Sequence, residues 1–174
     1  KQQSISERVA LLEKAYAAVQ PHMDELAVLL SREMGKDIRR SSGEVNGTAY
    51  GGSYIAQAAM AALQPTRPGS GTVVDYQPLG VAAVISPWNY PLAMANNLIV
   101  PALVAGNAIV FKPSEETPLI ADRFVELLNT VLPQDLLQIV HGDGEQGQAL
   151  IESDVQLIAF TGSQATGRKI MEAA

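Results

Sequence analysis

Four short apolar runs, each followed by a polar loop, constrain the fold of this chain more than any other feature. They occupy residues 81–85, 108–111, 137–140 and 157–160. Apolar runs of this length, rich in valine and isoleucine, are typical of parallel strands that are buried on both faces. Four such strands with helical patterns between them predict an α/β fold, a doubly wound, Rossmann-like parallel sheet.

The segments between these strands carry helix signals. Thr117 precedes Pro118, a pair typical of an N-cap and the first position of a helix. Helices are predicted over residues 92–104, 118–131, 144–152 and 163–173. Because ligands bind outside the carboxyl ends of the strands in such sheets, we expect four loops to line one crevice. These loops cover residues 86–89, 112–115, 141–144 and 161–163.

Residues 4–63 show a helical pattern throughout. Ser4 and Glu7 have the spacing of a capping box at the start of a first helix, which Pro21 interrupts. Gly35 suits the left-handed residue that ends a second helix. A third helix is predicted over residues 44–63, where glycines weaken the intrinsic helix propensity and indicate close packing against another element. These glycines are Gly47, Gly51 and Gly52.

The Pro- and Gly-rich stretch over residues 64–71 is the clearest boundary in the chain. It divides the chain into amino-terminal helices (1–66), a linker with an outlying strand (67–80) and the α/β domain (81–174). We expect the helices to pack on the α/β domain. The outlying strand is predicted over residues 72–76, outside the main sheet.

Charge and composition exclude several classes of partner. The chain has 12 Lys and Arg against 18 Asp and Glu, a net charge of −6, so neither nucleic acid nor a membrane surface is expected to bind. The longest apolar stretch, around residues 98–104, is too short to span a bilayer, and a cytoplasmic protein is expected. With no cysteine and two histidines, no metal site is predicted.

Residues 142–147 form a literal Gly-x-Gly-x-x-Gly sequence after a predicted strand. In the ordinary dinucleotide fingerprint an acid about 20 residues later binds the ribose hydroxyls. No acid lies between Phe160 and Gly167, so the ordinary Rossmann mode is the less favoured alternative. The favoured interpretation is that Gly144 and Gly147 allow close approach of the backbone to a cofactor.

Two further loops have the chemistry of a nucleotide site. Phe160-Thr161-Gly162-Ser163 leads directly into a predicted helix, whose unpaired N–H groups and dipole favour a pyrophosphate. Ser163 can add a hydroxyl donor, and it is also a typical N-cap; the two roles are compatible. Lys112 and Glu115, three residues apart at a strand end, either form a solvated ion pair or hold a ribose.

Three motifs, taken together, resemble the aldehyde dehydrogenase family. They are Pro87-Trp88-Asn89-Tyr90-Pro91, Phe111-Lys112-Pro113-Ser114-Glu115 and Phe160-Thr161-Gly162-Ser163, in that order. The resemblance covers most of the chain and is strongest from Pro78 onward. It implies that a nicotinamide cofactor contacts Ile85, Ser86, Pro87, Trp88, Lys112, Ser114, Glu115, Gly144, Gly147, Phe160, Thr161, Gly162, Ser163 and Thr166.

The resemblance also assigns roles to single residues. Lys112 and Glu115 match the pair that grips the adenosine ribose, and a glutamate there implies NAD rather than NADP, because a carboxylate repels a 2′-phosphate. Asn89 matches the asparagine whose amide donates to the oxyanion formed when a thiolate attacks an aldehyde. The alternative is that Asn89 only holds a turn.

In overall function, the resemblance implies oxidation of an aldehyde to a carboxylic acid through a cysteine adduct and hydride transfer. Since the chain has no cysteine, we expect it to be the amino-terminal, cofactor-binding part, inactive by itself. One alternative is a non-catalytic nucleotide-binding or scaffold module. Another is an acyl-phosphate or acyl-CoA reductase, which needs the same thiol.

The family also has a small oligomerisation sheet, and residues 72–84 match part of it. The resemblance therefore implies that the complete protein is a homo-dimer or a homo-tetramer.

Overall fold

The computed structural model of the chain describes residues 3–173. Seven α-helices, a short 3₁₀ turn over Gln20–His22 and six strands occur in this part of the chain. In chain order the labelled elements are α1 (Ile5–Val19), α2 (Met23–Met34), α3 (Ile38–Ala62), β1 (Thr66–Gly69), β2 (Thr72–Val74), β3 (Val81–Ile85), α4 (Pro91–Ala105), β4 (Ala108–Lys112), α5 (Pro118–Asn129), β5 (Leu137–Ile139), α6 (Gly144–Ile151), β6 (Leu157–Phe160) and α7 (Gln164–Ala173).

Strands β3 to β6 form one parallel sheet with the order β5-β4-β3-β6. The four predicted strands and the doubly wound α/β class are confirmed. From β3 the chain first moves outward through β4 to β5 and then returns to the other side of β3 as β6. Because right-handed crossovers then place helices on opposite faces, the carboxyl ends of the paired strands β3 and β6 mark the topological switch point where ligands bind in such sheets.

The amino-terminal helices begin and end at local signals. Ser4 Oγ accepts a hydrogen bond from Glu7 N at 3.2 Å, while the Glu7 carboxylate accepts from Ser4 N at 2.7 Å, so the predicted capping box is present. Gly35 ends α2 with a φ of 72°, as predicted. The predicted start of the third helix was wrong, because α3 begins at Ile38, where the Asp37 carboxylate caps the N–H of Arg39.

The glycines of α3 divide into one that is packed and others that are open. A Cβ added to Gly52 would lie 2.3 Å from the ring of Tyr16, so this position requires glycine. Nothing lies within 4 Å of a Cβ at Gly47 or Gly51. Close packing was therefore predicted correctly for Gly52 and wrongly for the other two.

A two-stranded antiparallel hairpin lies outside the main sheet. Strand β1 pairs with β2, and Gly71 at φ 85° lies in the turn between them. The predicted outlying strand is thus present but ends at Val74, and the stretch interpreted as a boundary itself contains β1. Every residue of both strands is exposed.

A single hydrophobic cluster joins the amino-terminal helices to the sheet. Helices α4 and α5 contact the strands, and α1, α2 and α3 pack against α4 and α5. At the centre, the rings of Tyr16 and Phe124 meet edge to face with centroids 6.2 Å apart. The Tyr16 hydroxyl donates to Asn96 Oδ1, and burial raises the pKa of Tyr16. Among the helices within residues 3–173, none is both long and apolar enough to cross a membrane.

Candidate functional site

A cavity of about 550 Å³ opens at the switch point between β3 and β6. The carboxyl ends of β3, β4 and β6 form its floor, and the amino-terminal turns of α6 and α7 form its walls. All fourteen residues proposed from the sequence as cofactor contacts line it: Ile85, Ser86, Pro87, Trp88, Lys112, Ser114, Glu115, Gly144, Gly147, Phe160, Thr161, Gly162, Ser163 and Thr166.

Five further lining residues were missed by the sequence analysis. They lie beside or one helical turn after predicted ones on α6 and α7, so the i, i+4 spacing of a helix face could have found them. They are Asp143, Gln148, Ile151, Lys169 and Ile170.

Lys112, the last residue of β4, brings a buried ammonium group to the cavity. Its side chain is 5% exposed, and Nζ donates to the Pro113 carbonyl at 3.0 Å. Burial lowers the pKa of Lys112, while the charges of Glu115 and Asp143 act in the opposite direction. The ammonium therefore has donor capacity left for a ligand at this edge of the sheet.

Glu115 stands at the rim of the same cavity, where its side chain is 53% exposed. Its Oε2 lies 3.8 Å from Lys112 Nζ and 3.5 Å from Ser114 Oγ, which donates to it. An exposed carboxylate beside a buried ammonium can accept hydrogen bonds from two neighbouring hydroxyls. Lys112 and Glu115 thus form an ion pair, and the carboxylate keeps acceptor capacity for the two hydroxyls of a diol.

Ser86 follows β3 at the floor of the cavity. The residue is 4% exposed, and its Oγ is a buried polar atom without a hydrogen-bond partner in the described part of the chain. The buried hydroxyls of Thr48 and Thr117 are also unpaired within residues 3–173, but of these three residues only Ser86 lines the cavity. A polar ligand in the cavity would give the Ser86 hydroxyl the partner that buried polar atoms normally have.

Helix α7 points its amino terminus into the cavity. Ser163 Oγ accepts from Thr166 N at 3.1 Å, which makes Ser163 the N-cap of the helix. A Cβ added to Gly162 would lie 2.5 Å from the tip of the Phe160 ring, so a side chain there would have to displace that ring. The first N–H groups of a helix have no partners within it and attract anions.

The Gly-x-Gly-x-x-Gly sequence follows β5, which is the edge strand of the sheet. Gly142 has a φ of 144°, a conformation that side chains rarely adopt, and Gly147 lies against the side chain of Lys112. The switch point is instead beside β3. The motif therefore does not occupy the place of the ordinary Rossmann fingerprint, which was the less favoured alternative.

Asn89 lies next to the cavity and not in its lining. The residue is exposed, Oδ1 accepts from Tyr90 N at 3.1 Å, and its backbone carbonyl accepts from Lys36 Nζ at 2.8 Å. It thus forms a turn and also presents an amide to solvent. Within residues 3–173, no group of three or more acidic or histidine side chains is arranged to hold a metal ion.

Residues 1–174 match the model of the aldehyde dehydrogenase family, and the match extends over the whole sequence. The chain belongs to the aldehyde dehydrogenase family. The resemblance found in the three loop motifs is confirmed.

Individual aldehyde dehydrogenases are similar to this chain in sequence and in structure. The 3,6-anhydro-α-L-galactose dehydrogenase of Streptomyces coelicolor is 39% identical over 170 residues, which cover 94% of this chain and 35% of the relative. PnpE in complex with nicotinamide adenine dinucleotide is 43% identical with a TM-score of 0.88, covering 98% of this chain and 36% of that one.

A second solved structure carries the other nicotinamide dinucleotide. The NADP-dependent glyceraldehyde-3-phosphate dehydrogenase from Bacillus halodurans C-125, complexed with NADP, is 34% identical with a TM-score of 0.89. The match covers 99% of this chain and 39% of that one. The chain thus spans about a third of the length of the aldehyde dehydrogenases it matches.

Proposed function

We propose that this chain is the amino-terminal, dinucleotide-binding part of an aldehyde dehydrogenase that oxidises an aldehyde to a carboxylic acid with NAD. The observation that carries the proposal is the switch-point cavity, whose lining includes all fourteen residues expected to contact the cofactor. Membership of the family and the NAD and NADP complexes of similar proteins support it.

The cavity offers a distinct place for each polar part of the dinucleotide. The amino terminus of α7, with Ser163, would bind the pyrophosphate, because unpaired N–H groups and the helix dipole favour an anion there. Lys112 and Glu115 would hold the adenosine ribose. The Glu115 carboxylate favours NAD, since it accepts from both ribose hydroxyls and repels a phosphate on one of them.

Asn89 is the proposed donor to the carbonyl oxygen of the aldehyde. Its amide is exposed beside Trp88, which lines the cavity, and an amide donates without titrating. When bound, the nicotinamide supplies the acceptor of the hydride. A thiol nucleophile has to come from outside these 174 residues, which contain no cysteine. The family resemblance implies that the general base would come from there as well. The exposed β1–β2 hairpin supports a homo-dimer or homo-tetramer of the complete protein.

Calorimetric titration of the 174-residue chain with NAD and with NADP tests the proposal. We expect NAD to bind more tightly than NADP. In Glu115→Gln the ratio of the two affinities should fall about tenfold, because the affinity for NAD decreases and that for NADP increases. Glu116→Gln is the matched control, because it removes the same charge from the next residue, which is not part of the lining. Absence of NAD and NADP binding, or equal effects of the two variants, would contradict the proposal.

The same chain should form no reduced cofactor when an aldehyde is added together with NAD. Its side chains include no thiol to form the covalent adduct. Spectrophotometric detection of aldehyde-dependent reduction above the buffer rate would show that another nucleophile acts.

A further inference from the structure

A buried ion pair lies directly behind the loop that carries Asn89. Lys36, in the segment between α2 and α3, and Glu44, in the second turn of α3, form a salt bridge through Lys36 Nζ and Glu44 Oε2. The Glu44 side chain is 0% exposed and that of Lys36 is 9% exposed. Removing two charges from water is expensive, so such a pair persists only where other hydrogen bonds satisfy its remaining atoms.

Glu44 uses its second oxygen to begin helix α4. Oε1 accepts from Leu92 N at 3.1 Å and from Ala93 N at 3.3 Å. Tyr90, the N-cap of α4, makes no capping bond with its own side chain, and Pro91 has no N–H. Glu44 is therefore the N-cap acceptor of α4, supplied from another helix.

Lys36 holds the turn that precedes the same helix. Besides Glu44, Nζ donates to the Asn89 carbonyl at 2.8 Å and lies 4.1 Å from the centroid of the Tyr90 ring. The three N–H donors of the ammonium thus face a carboxylate, a carbonyl and an aromatic face. The buried ammonium group of Lys36 therefore contacts both the backbone of Asn89 and the ring of Tyr90.

The turn also sets the direction of the Asn89 amide. A backbone N–H can only donate, so the amide atom 3.1 Å from Tyr90 N is the oxygen. The Nδ2 group then points away from the turn, and no hydrogen-bond partner for it is present in the described residues. Donation by this amide is the role that the proposed function requires.

We infer that Lys36 and Glu44 are positioning residues, which hold the Asn89 turn so that its amide N–H groups face the substrate. The inference rests on the proposed role of Asn89 in binding the aldehyde oxygen. Neither residue touches the cofactor cavity. Their effect passes through the Asn89 carbonyl and the first turn of α4.

Amide hydrogen exchange and side-chain NMR of the 174-residue chain test the inference. In Lys36→Met we expect exchange at Tyr90 N, which reports the bond to Asn89 Oδ1, to accelerate roughly tenfold. The Asn89 side-chain NH₂ signals should lose order at the same time. Lys36→Arg keeps the charge and donor capacity, so it should largely restore both signals.

The matched control is Glu33→Gln. The Glu33 carboxylate accepts from Leu119 N at 2.6 Å and from Ile120 N at 2.9 Å, so it caps α5 as Glu44 caps α4. This variant should change exchange at Leu119 and Ile120 and leave Asn89 and Tyr90 as in the wild type. A drop in thermal stability alone, without a change at Asn89 and Tyr90 in Lys36→Met, would overturn the inference.

If Lys36→Met does not fold, Glu44→Gln takes its place. It retains an oxygen for Leu92 and Ala93 but removes the charge that holds Lys36, so the same loss of order at Asn89 is expected, and its absence overturns the inference. Titration of the wild type with NAD keeps the two proposals apart. Failure to bind NAD contradicts the proposed function. Unchanged signals of Asn89 and Tyr90 in Lys36→Met contradict only the positioning role.

Discussion

The carboxylates of the amino-terminal helices and the polar groups that line the cavity differ in what they bind. In the helices, Glu33 and Glu44 each accept two backbone N–H groups from another element, so their charges are used in holding the fold together. Among the residues that line the cavity, the Ser86 hydroxyl is unpaired within residues 3–173 and Glu115 is half exposed; the Thr48 hydroxyl in α3 is unpaired as well. The two glutamates of the helices are thus used within the fold, whereas the cavity lining keeps hydrogen-bonding capacity for a ligand.

This comparison implies that substitutions in the helices chiefly lower stability, while substitutions in the cavity lining chiefly change binding. The largest effect is expected for Glu44→Ala, which leaves Lys36 buried without its partner and α4 without its cap. We expect a loss of about 3–5 kcal/mol in the free energy of unfolding, measured by urea denaturation. Glu33→Ala removes a cap from a half-buried site and should cost only about 1–2 kcal/mol. Equal losses would remove the distinction between the two glutamates.

The packed glycine of α3 should give the next largest effect. Gly52→Ala places a methyl group 2.3 Å from the Tyr16 ring, and we expect a loss of about 1–3 kcal/mol in the free energy of unfolding. Gly47→Ala on the same helix meets open space and should stabilise by up to about 1 kcal/mol. If the packing of α3 is as described, the melting temperature should fall in Gly52→Ala and rise in Gly47→Ala.

A change in the cavity lining should separate binding from stability. Lys112→Met is expected to weaken NAD binding at least about tenfold, or ~1.4 kcal/mol, in calorimetric titration. Stability should not fall, because burial lowers the pKa of Lys112 and its charged form therefore costs the fold free energy at neutral pH.

The pH dependence of that variant follows from the same shift. The cost of the charged ammonium is present while Lys112 is protonated and vanishes as the pH rises past its ordinary pKa of 10.5. The stability of Lys112→Met relative to the wild type should therefore decrease towards alkaline pH. An advantage that grew with pH would mean that burial does not dominate the pKa of Lys112.

The smallest effects are expected for two buried serines. Ser86→Ala removes an unpaired hydroxyl and should change the free energy of unfolding by less than about 0.5 kcal/mol. Ser41→Ala, in α3, removes an acceptor 2.9 Å from Ser31 Oγ and should cost about 1 kcal/mol. Weaker NAD binding in Ser86→Ala, with Ser41→Ala as control, would identify the unpaired hydroxyl as a ligand contact.

Signals carried by neighbouring residues were sufficient for much of the fold. The Ser4–Glu7 capping box, the left-handed Gly35 and the four apolar strands were all predicted, and two of the strands were predicted to the residue at both ends. The cavity followed from them, because parallel strands that end in polar loops bring those loops to one edge of the sheet. The three loop motifs, through their resemblance to the family, indicated which residues are expected to contact the cofactor.

Long-range contacts decided the rest. Helices α4 and α5 begin without caps of their own. The carboxylates that cap them, those of Glu44 and Glu33, are separated in sequence from the N–H groups they bind by 48 to 87 positions. Nothing in the residues around Asn89 indicates that a lysine 53 positions earlier holds its carbonyl. Caps, strand runs and turn glycines act within a few residues and are visible in the sequence. The direction of the Asn89 amide depends on a buried charge from another element, so only the packed structure sets it.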